Sequence, residues 1–301
     1  MDMPSEVLMP PLPLTDFPMW HFMFSALALT WGTCIGSFLN ACIYRIPNEL
    51  SVVHPRSFCP ICRMKVAWYD NIPVFSWMNL RGRCRSCRTF ISPRYLLVEC
   101  LVGVLFFLAW LKFDLVDGTR PLGLVAVCDW QLVPVYWLVI SGLVLGTFVD
   151  FEHLIIPDRV TLGGIAAGLT ISIMVPQLHN AAGPVTGLLW SAVGAVSGWG
   201  LLWGVAVMGR LMFKKEAMGF GDVKLLGAIG AFLGWRAVLF TIVISSLLGS
   251  IVGITLVLIR ARRLQSKIPY GPYIALAAVL WIYWGPVVWQ AYMGLMRPAG
   301  L

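Results

Sequence analysis

The sequence predicts an all-α polytopic membrane protein with about eight transmembrane helices, and three observations support this. The chain has 301 residues, of which 59% are hydrophobic and only 12% are charged. A soluble domain of similar length has about a quarter charged residues. Long apolar runs recur along the chain, and a membrane-spanning helix needs about 20 mostly apolar residues. Because backbone polar groups inside a bilayer must be satisfied internally, these runs are expected to be helical.

The apolar runs are predicted to cross the membrane one after another. Their bounds are Trp20–Ile43, Tyr95–Phe113, Leu132–Val149, Val160–Val175, Val185–Met208, Val223–Leu233, Val238–Ile259 and Ile274–Met293. The fourth and sixth runs are shorter than a bilayer requires, so we expect flanking residues to complete these two crossings.

The basic residues predict the orientation of the chain in the membrane. The first 20 residues contain three acids and no base, which excludes a secretory signal with a positive leading region. With both termini outside the cytoplasm, the inner loops hold 18 of the 22 Lys and Arg residues, nine of them in residues 44–94. An excess of Lys and Arg marks cytoplasmic loops. This bias, together with contact with anionic membrane lipids, accounts for the net charge of +8, so no nucleic-acid partner is expected.

The predicted cytoplasmic loop, residues 44–94, contains two C-x-x-C pairs. Cys59 and Cys62 form the first pair, and Cys84 and Cys87 form the second. Two such pairs can supply four thiolates to one structural Zn²⁺ ion. A pair of disulfides is the alternative, but a cytoplasmic loop is in a reducing compartment. A redox C-x-x-C is disfavoured because the expected βαβ context is absent from the sequence pattern. The loop is therefore predicted to bind structural zinc.

Two carboxylates are predicted to lie at the cytoplasmic membrane face. Asp150 ends the third span, where an acid is at the electrostatically unfavourable end of a helix, so capping does not explain it. Asp222 opens the sixth span and could be an N-cap, but Gly219 and Gly221 beside it allow a close approach of another chain segment. Two adjacent carboxylates share one proton, so one can activate water while the other donates to a scissile carbonyl. Asp150 and Asp222 are thus candidates for an aspartic protease pair.

Neighbouring polar residues have less specific predictions. Asp158 follows a proline and precedes the fourth span, which favours an N-cap. Glu152 and His153 are predicted to be solvated loop residues. Cys128 is predicted to lie outside the cytoplasm without an obvious partner.

Several segments that run from the first span to the last carry a family resemblance. They are "GSFLNACIYRIP" (Gly36–Pro47), "NIPVFSW" and "LRGRCRSC" around the cysteine pairs, "DFEHLIIPD" (Asp150–Asp158), "GFGDVKLLGAIGAFLGW" (Gly219–Trp235) and "IPYGPYIALA" (Ile268–Ala277). In this order they closely resemble the bacterial prepilin peptidases, the bifunctional leader peptidase/N-methyltransferases of type IV pilus and type II secretion systems.

This resemblance implies both a reaction and its site. Asp150 and Asp222 correspond to the catalytic aspartates, which cleave the leader of a prepilin or pseudopilin on the cytoplasmic side of the bacterial inner membrane. The new N-terminal residue, usually Phe, is then methylated with S-adenosylmethionine as the methyl donor. Intact cysteine pairs are typical of the bifunctional members. The resemblance associates methyl transfer with "GSFLN", the zinc loop and Glu99, whereas Leu96 replaces a proline that is common in the family.

Four regions follow from these predictions. They are a non-cytoplasmic tail (1–19), a first transmembrane helix (20–43), a cytoplasmic zinc-binding, methylation-associated domain (44–94) and a helical membrane aspartic peptidase domain (95–301).

Besides a non-enzymatic assembly-platform protein, which would leave Asp150 unexplained, two other functional classes remain as alternatives. One is a presenilin-like intramembrane aspartic protease without methylation, in which the zinc loop is purely structural. The other is a zinc-handling membrane transporter, which should have internal repeats and interrupted helices with ligands at mid-membrane. The sequence lacks such a repeat, and its notable acids are predicted at one face.

Overall fold

The computed structural model describes residues 19–54, 56–113, 130–214, 218–259 and 269–296, and within these ranges it is helical with no β-sheet. The helices are α1 (Met19–Arg45), α2 (Phe75–Asn79), α3 (Arg94–Phe113), α4 (Leu132–His153), α5 (Asp158–Met174), α6 (Pro184–Phe213), α7 (Phe220–Leu258) and α8 (Gly271–Met296), with 3-10 helices at Trp68–Asn71 and Pro176–His179. The predictions for the tail up to residue 18, for Cys128 and for the basic residues 260–267 lie outside the described residues.

Six of the described helices are long and apolar enough to cross a membrane: α1, α3, α4, α6, α7 and α8. The chain is therefore a multi-pass membrane protein, and the predicted all-α fold class is confirmed. Helix α5 has 17 residues, so it is about 26 Å long and close to the roughly 30 Å of a bilayer core. It corresponds to the fourth predicted span, which the sequence also indicated to be short.

Helix α7 consists of two segments that reverse direction at Gly234. Its 39 residues would form a straight rod of about 58 Å, roughly twice the thickness of a bilayer core. Gly234 has a φ of 78° and a ψ of 172°, which interrupts the helix. A Cβ atom on Gly230 would lie 3.0 Å from Val238 Cγ2, whereas residues eight apart in a straight helix are about 12 Å apart. The two halves therefore correspond to the sixth and seventh predicted spans, and with α5 the described residues contain a helical segment for each of the eight predicted spans.

The reversal leaves a backbone carbonyl that other helices satisfy. The Ser191 hydroxyl donates to the Ala231 carbonyl at 2.7 Å, and His179 Nε2 lies 3.2 Å from the same oxygen. A buried carbonyl outside regular helix geometry needs such partners. Side chains from α6 and the second 3-10 helix thus stabilise the turn between the two halves of α7.

Helices α1 and α3 pack closely through small residues. A Cβ atom on Gly32 would lie 2.8 Å from the Gly103 Cα, and one on Gly36 would lie 2.7 Å from the Glu99 Cα. Glycine in such positions allows the backbones of membrane helices to approach closely. This contact holds together the two helices that the cysteine-containing loop connects.

Candidate active site and metal centre

Asp150 lies in the last turn of α4 and is 5% exposed. Its Oδ2 accepts a hydrogen bond of 3.0 Å from the backbone N–H of Gly271, the first residue of α8. The N-terminus of a helix carries a partial positive charge. Asp150 is thus at the unfavourable end of its own helix but faces the favourable end of another helix.

The close approach to Asp150 requires a glycine at position 271. A Cβ atom there would lie 2.7 Å from Asp150 Oδ2 and 3.0 Å from Ile156 Cδ1. Sequence reasoning assigned no role to Gly271, although it lies in a segment that carries the resemblance. The available signal was a glycine followed by proline at the start of an apolar run, which is consistent with a helix N-terminus.

Asp222 lies in the first turn of α7 and is 7% exposed. The N-cap position belongs to Gly219, so Asp222 is not the N-cap residue. A Cβ atom on Gly219 would lie 3.3 Å from Asp222 Oδ2, and one on Gly221 would lie 3.3 Å from Ile156 Cβ. The two glycines therefore permit close packing around Asp222, and the negative φ of −68° at Gly219 requires no glycine on backbone grounds.

The fold brings the two acids to the same buried place. Asp150 is close enough to Asp222 to act on it electrostatically, and Ile156 packs beside the backbone of both Gly221 and Gly271. Two neighbouring buried carboxylates cannot both ionise without a large cost in free energy, so the pair favours a state in which the two acids share one proton. Such a pair can take a proton from water with one acid and give a proton with the other.

Two predictions about neighbouring acids are wrong. Asp158 is the first residue of α5, whose N-cap is Pro157 without a side-chain cap, and Asp158 Oδ1 instead accepts from Lys224 Nζ at 2.7 Å. Because Lys224 lies on α7, the sequence around Asp158 does not indicate this charged partner. Glu152 and His153 are exposed to solvent as predicted, but they lie in the last turn of α4 rather than in a loop, and Glu152 forms an ion pair with Arg94 at the start of α3.

The four loop cysteines form a compact cluster. Cys59 Sγ lies 3.8 Å from Cys87 Sγ, and Cys62 Sγ lies 4.0 Å from Cys84 Sγ. All four sulfur atoms lie within 4.8 Å of one another. Sulfur atoms at the corners of a tetrahedron with zinc–sulfur bonds of about 2.3 Å are about 3.8 Å apart. The cluster can therefore hold a metal ion.

The two cysteine pairs share one backbone conformation. The Cys59 N–H donates to the Met64 carbonyl and the Cys84 N–H to the Thr89 carbonyl, both at 2.9 Å. The residue after each pair has a positive φ, 60° at Arg63 and 58° at Arg88. The shared pattern C-x-x-C-R is the sequence signal for this repeat.

Backbone N–H groups in the turn that contains Cys84 and Cys87 favour the thiolate form of Cys84. Those of Cys87 and Ser86 lower the pKa of the Cys84 thiol to about 7, whereas burial and the neighbouring thiols raise the pKa of Cys87 to about 11. A lower pKa favours the thiolate, which is the form that binds metals.

Two buried polar side chains, Glu99 and Asn40, lie where the loop meets α1 and α3. Glu99 is 7% exposed, and its Oε2 accepts a hydrogen bond of 2.7 Å from the Val74 N–H. Asn40 is 2% exposed and donates to the Tyr95 carbonyl at 3.0 Å, whereas its Oδ1 has no hydrogen-bond partner among the described residues. A buried acceptor without a partner is costly and indicates a ligand or water site.

The fold and these sites define a polytopic helical membrane protein with a buried pair of acids at one end of its bundle and a four-cysteine cluster in the loop between α1 and α3. Residues 137–254 match the model of the type IV leader peptidase family, and residues 30–113 match that of the bacterial peptidase A24 N-terminal domain. The chain belongs to the type IV leader peptidase family.

Curated relatives agree with this assignment. The chain is 33% identical to a prepilin leader peptidase/N-methyltransferase of Aeromonas hydrophila, over 90% of this chain and 94% of the relative. A protein of the same name from Pseudomonas aeruginosa is 30% identical, over 94% of this chain and 98% of the relative. One from Myxococcus xanthus is 38% identical, over 80% of this chain and 65% of the relative. No solved structure matches the chain.

Proposed function

We propose that this protein cleaves the leader of type IV prepilins or pseudopilins and N-methylates the new N-terminal residue, with S-adenosylmethionine as the methyl donor. The observation that carries the proposal is the buried pair Asp150 and Asp222, which three helices bring together at one end of the bundle. The names of the relatives support the same two activities. A zinc transporter is disfavoured because the acids lie at helix ends rather than at mid-membrane.

Cleavage in this proposal needs no group beyond the two acids and water. The Gly271 N–H donates to Asp150 Oδ2 and so favours negative charge on this acid, which leaves Asp222 as the acid that holds the shared proton. Asp150 then takes a proton from the attacking water, while Asp222 donates its proton to the oxygen of the scissile carbonyl. This step forms a tetrahedral diol. When the diol collapses, Asp150 gives its proton to the leaving nitrogen as the C–N bond breaks, and a diol hydroxyl returns a proton to Asp222, so both acids regain their starting states.

The proposed topology places this chemistry at the cytoplasmic face of the bacterial inner membrane. Both termini would lie outside the cytoplasm. The proposed regions are the tail (1–19), the first membrane helix (20–43), the zinc-binding domain (44–94) and the peptidase domain (95–301). The distribution of Lys and Arg residues supports this orientation. The ion pair between Arg94 and Glu152 supports placing the loop and the acid pair at the same end of the bundle.

The metal in this proposal is a structural Zn²⁺ ion. Cys59, Cys62, Cys84 and Cys87 would hold it, and their mutual distances fit a tetrahedral thiolate site. With four protein ligands the ion has no open position for substrate. Its contribution would be to fold the loop, which has little apolar core of its own.

Methyl transfer is proposed to occur beside Glu99 and Asn40, beneath the loop. S-adenosylmethionine would supply the methyl group when bound. Glu99 and the unpartnered Asn40 Oδ1 are acceptors that can hold the new N-terminal amine of the substrate. Asn40 lies on α1 and Glu99 lies on the facing helix α3. Gly36 of α1 packs against Glu99, and Asn40, one turn further along α1, bonds the Tyr95 carbonyl of α3. Two acceptors about one helical turn apart can orient an amine for transfer.

A direct assay tests both activities. Purified protein in lipid nanodiscs is incubated with a prepilin, with and without S-adenosylmethionine, and the product masses are measured. We expect loss of the leader in both reactions and the additional mass of one methyl group only with the donor. A folded protein that leaves the prepilin intact would contradict the proposed peptidase. Cleavage without a methylated product would favour the presenilin-like alternative.

A further inference from the structure

The loop carries an exposed apolar surface that neither proposed site uses. This surface, here called the aromatic face, consists of Trp68 (81% exposed), Phe75 (75%), Met78 (61%), Tyr69 (49%) and Ile72 (43%). A groove of about 410 Å³ lies within it. Contiguous exposed apolar surface of this kind marks a place where another molecule or a membrane is bound.

The aromatic face is held in its exposed conformation by specific polar contacts. Arg85 donates two hydrogen bonds of 2.6 Å to the carboxylate of Asp70, between Trp68 and Ile72. The Ser76 hydroxyl donates to the Tyr69 carbonyl at 3.0 Å, which joins the 3-10 helix to α2. The apolar side chains are therefore presented outward by a folded segment.

The position of Val74 places this segment alongside the membrane helices. Its N–H bonds Glu99, which lies about 7 Å along α3 from the first residue of that helix. Glu99 is level with Gly36, which lies about 13 Å before the end of α1. Because α1 is about 40 Å long and a bilayer core is about 30 Å thick, this level falls within the membrane boundary.

Val74 also has a strained backbone. It is a β-branched residue with a φ of 64°, a conformation that such residues rarely adopt. Strain of this kind persists only where surrounding contacts impose it. The bond to Glu99 thus anchors the segment beside α3 and fixes the depth of the aromatic face.

The charge around the aromatic face suits anionic lipid. Residues 44–94 contain nine Lys and Arg residues but only two acids. Arg63, Lys65, Arg81, Arg83 and Arg88 are exposed. Basic residues beside a membrane are attracted to anionic headgroups, and Trp and Tyr are enriched at the interface between headgroups and acyl chains.

We infer that the aromatic face is an interfacial membrane anchor that inserts among the lipids of the adjacent leaflet, with the surrounding basic residues at anionic phospholipid headgroups. Arg85, which holds Asp70, lies between Cys84 and Cys87, so the aromatic face is joined to the turn that carries the second cysteine pair. The inference depends on neither of the two proposed reactions.

A fluorine probe in the full chain tests this anchor. Trifluoromethylphenylalanine replaces Phe75, and the protein is reconstituted in vesicles of phosphatidylethanolamine and phosphatidylglycerol. Fluorine relaxation is measured with a lipid-borne nitroxide and with a water-soluble gadolinium chelate. The same probe at Val196 on α6 (71% exposed) is the lipid reference, and at Val53 in the loop (68% exposed) it is the water reference.

We expect the lipid nitroxide to increase the fluorine relaxation rate at position 75 several-fold more than the soluble chelate does. This is the behaviour expected of the probe at Val196. Behaviour like that at Val53 would overturn the inference. Protection from both agents would also overturn it, because a protein or a second copy would then cover the face. Replacing phosphatidylglycerol by phosphatidylcholine should reduce the nitroxide effect, and an unchanged effect would contradict the role of the basic residues.

Discussion

The acid pair and the cysteine cluster are built in opposite ways. Asp150, Asp222 and Gly271 belong to three separate helices, so their meeting depends on the packing of much of the bundle. The cysteines lie in two short turns that share one local conformation, so little beyond the loop is needed to form each half of the cluster. The comparison teaches that lesions in one region should leave the other region largely intact.

The largest expected effect comes from the acid pair itself. Asp150→Asn and Asp222→Asn keep the size of the side chain but cannot exchange the proton, so each should lower the cleavage rate by about 10²–10⁴-fold. Asp158→Asn is the matched control, because this acid lies at the same end but pairs with Lys224. Cleavage rates in nanodiscs, with circular dichroism to verify folding, decide the outcome. Near-normal cleavage by either Asp150→Asn or Asp222→Asn would remove the pair from the mechanism.

Gly271→Ala tests whether the packing of α8 positions the pair. The new methyl group would meet Asp150 Oδ2 at 2.7 Å, so the carboxylate or the helix must shift. A displacement near 1 Å can cost about 10²-fold in rate, and we expect a loss of kcat of that order with metal content unchanged. Gly294→Ala is the control, because nothing lies within 4 Å of a Cβ atom there. Equal activity of the two variants would show that the contact does not constrain Asp150.

The cysteine cluster is expected to respond locally. Elemental analysis should find about one zinc ion per chain, as a four-thiolate site requires. Cys59→Ser or Cys84→Ser should lose the metal and make residues 55–90 sensitive to protease, while the peptidase helices remain protected. Cys100→Ser, outside the cluster on α3, should keep the metal. Native protein with four titratable loop thiols and no metal would refute the site.

The smallest effect is expected at the ion pair of Asp158 and Lys224. The Asp158 side chain is 62% exposed, and solvent screens such a pair, so Asp158→Asn should change the free energy of unfolding by less than about 1 kcal/mol. Denaturation of purified protein in detergent measures this. A loss well above that value would mean that the pair holds α5 against α7.

The features that the sequence predicts are those encoded by neighbouring residues. Apolar runs indicate the eight membrane segments, including the two halves of α7 separated at Gly234. Spacing alone indicates that Cys59, Cys62, Cys84 and Cys87 belong together. Family resemblance and the unfavourable helix end of Asp150 together indicate the acid pair.

The features that the sequence does not reveal depend on contacts between distant segments. The partner of Asp150 is a backbone N–H 121 residues away, which no local pattern specifies. Asp158 was predicted as an N-cap because its nearby sequence fits one, but Lys224 on another helix is its actual partner. The aromatic face was missed because exposure within a loop follows from its folded contacts rather than from composition.

Methylation of a pre-cleaved substrate by the Asp222→Asn protein tests most directly the claim that the two regions act separately. The substrate has a free N-terminal Phe, and the methyl group of S-adenosylmethionine carries the label. We expect label transfer at close to the unmodified rate, although this variant cannot cleave the precursor, because Glu99 and Asn40 are positioned by α1, α3 and the loop. Glu99→Gln should give the opposite pattern, with cleavage retained and methylation lost. A folded Asp222→Asn protein that transfers no label would contradict the account, because both reactions would then require the same acids.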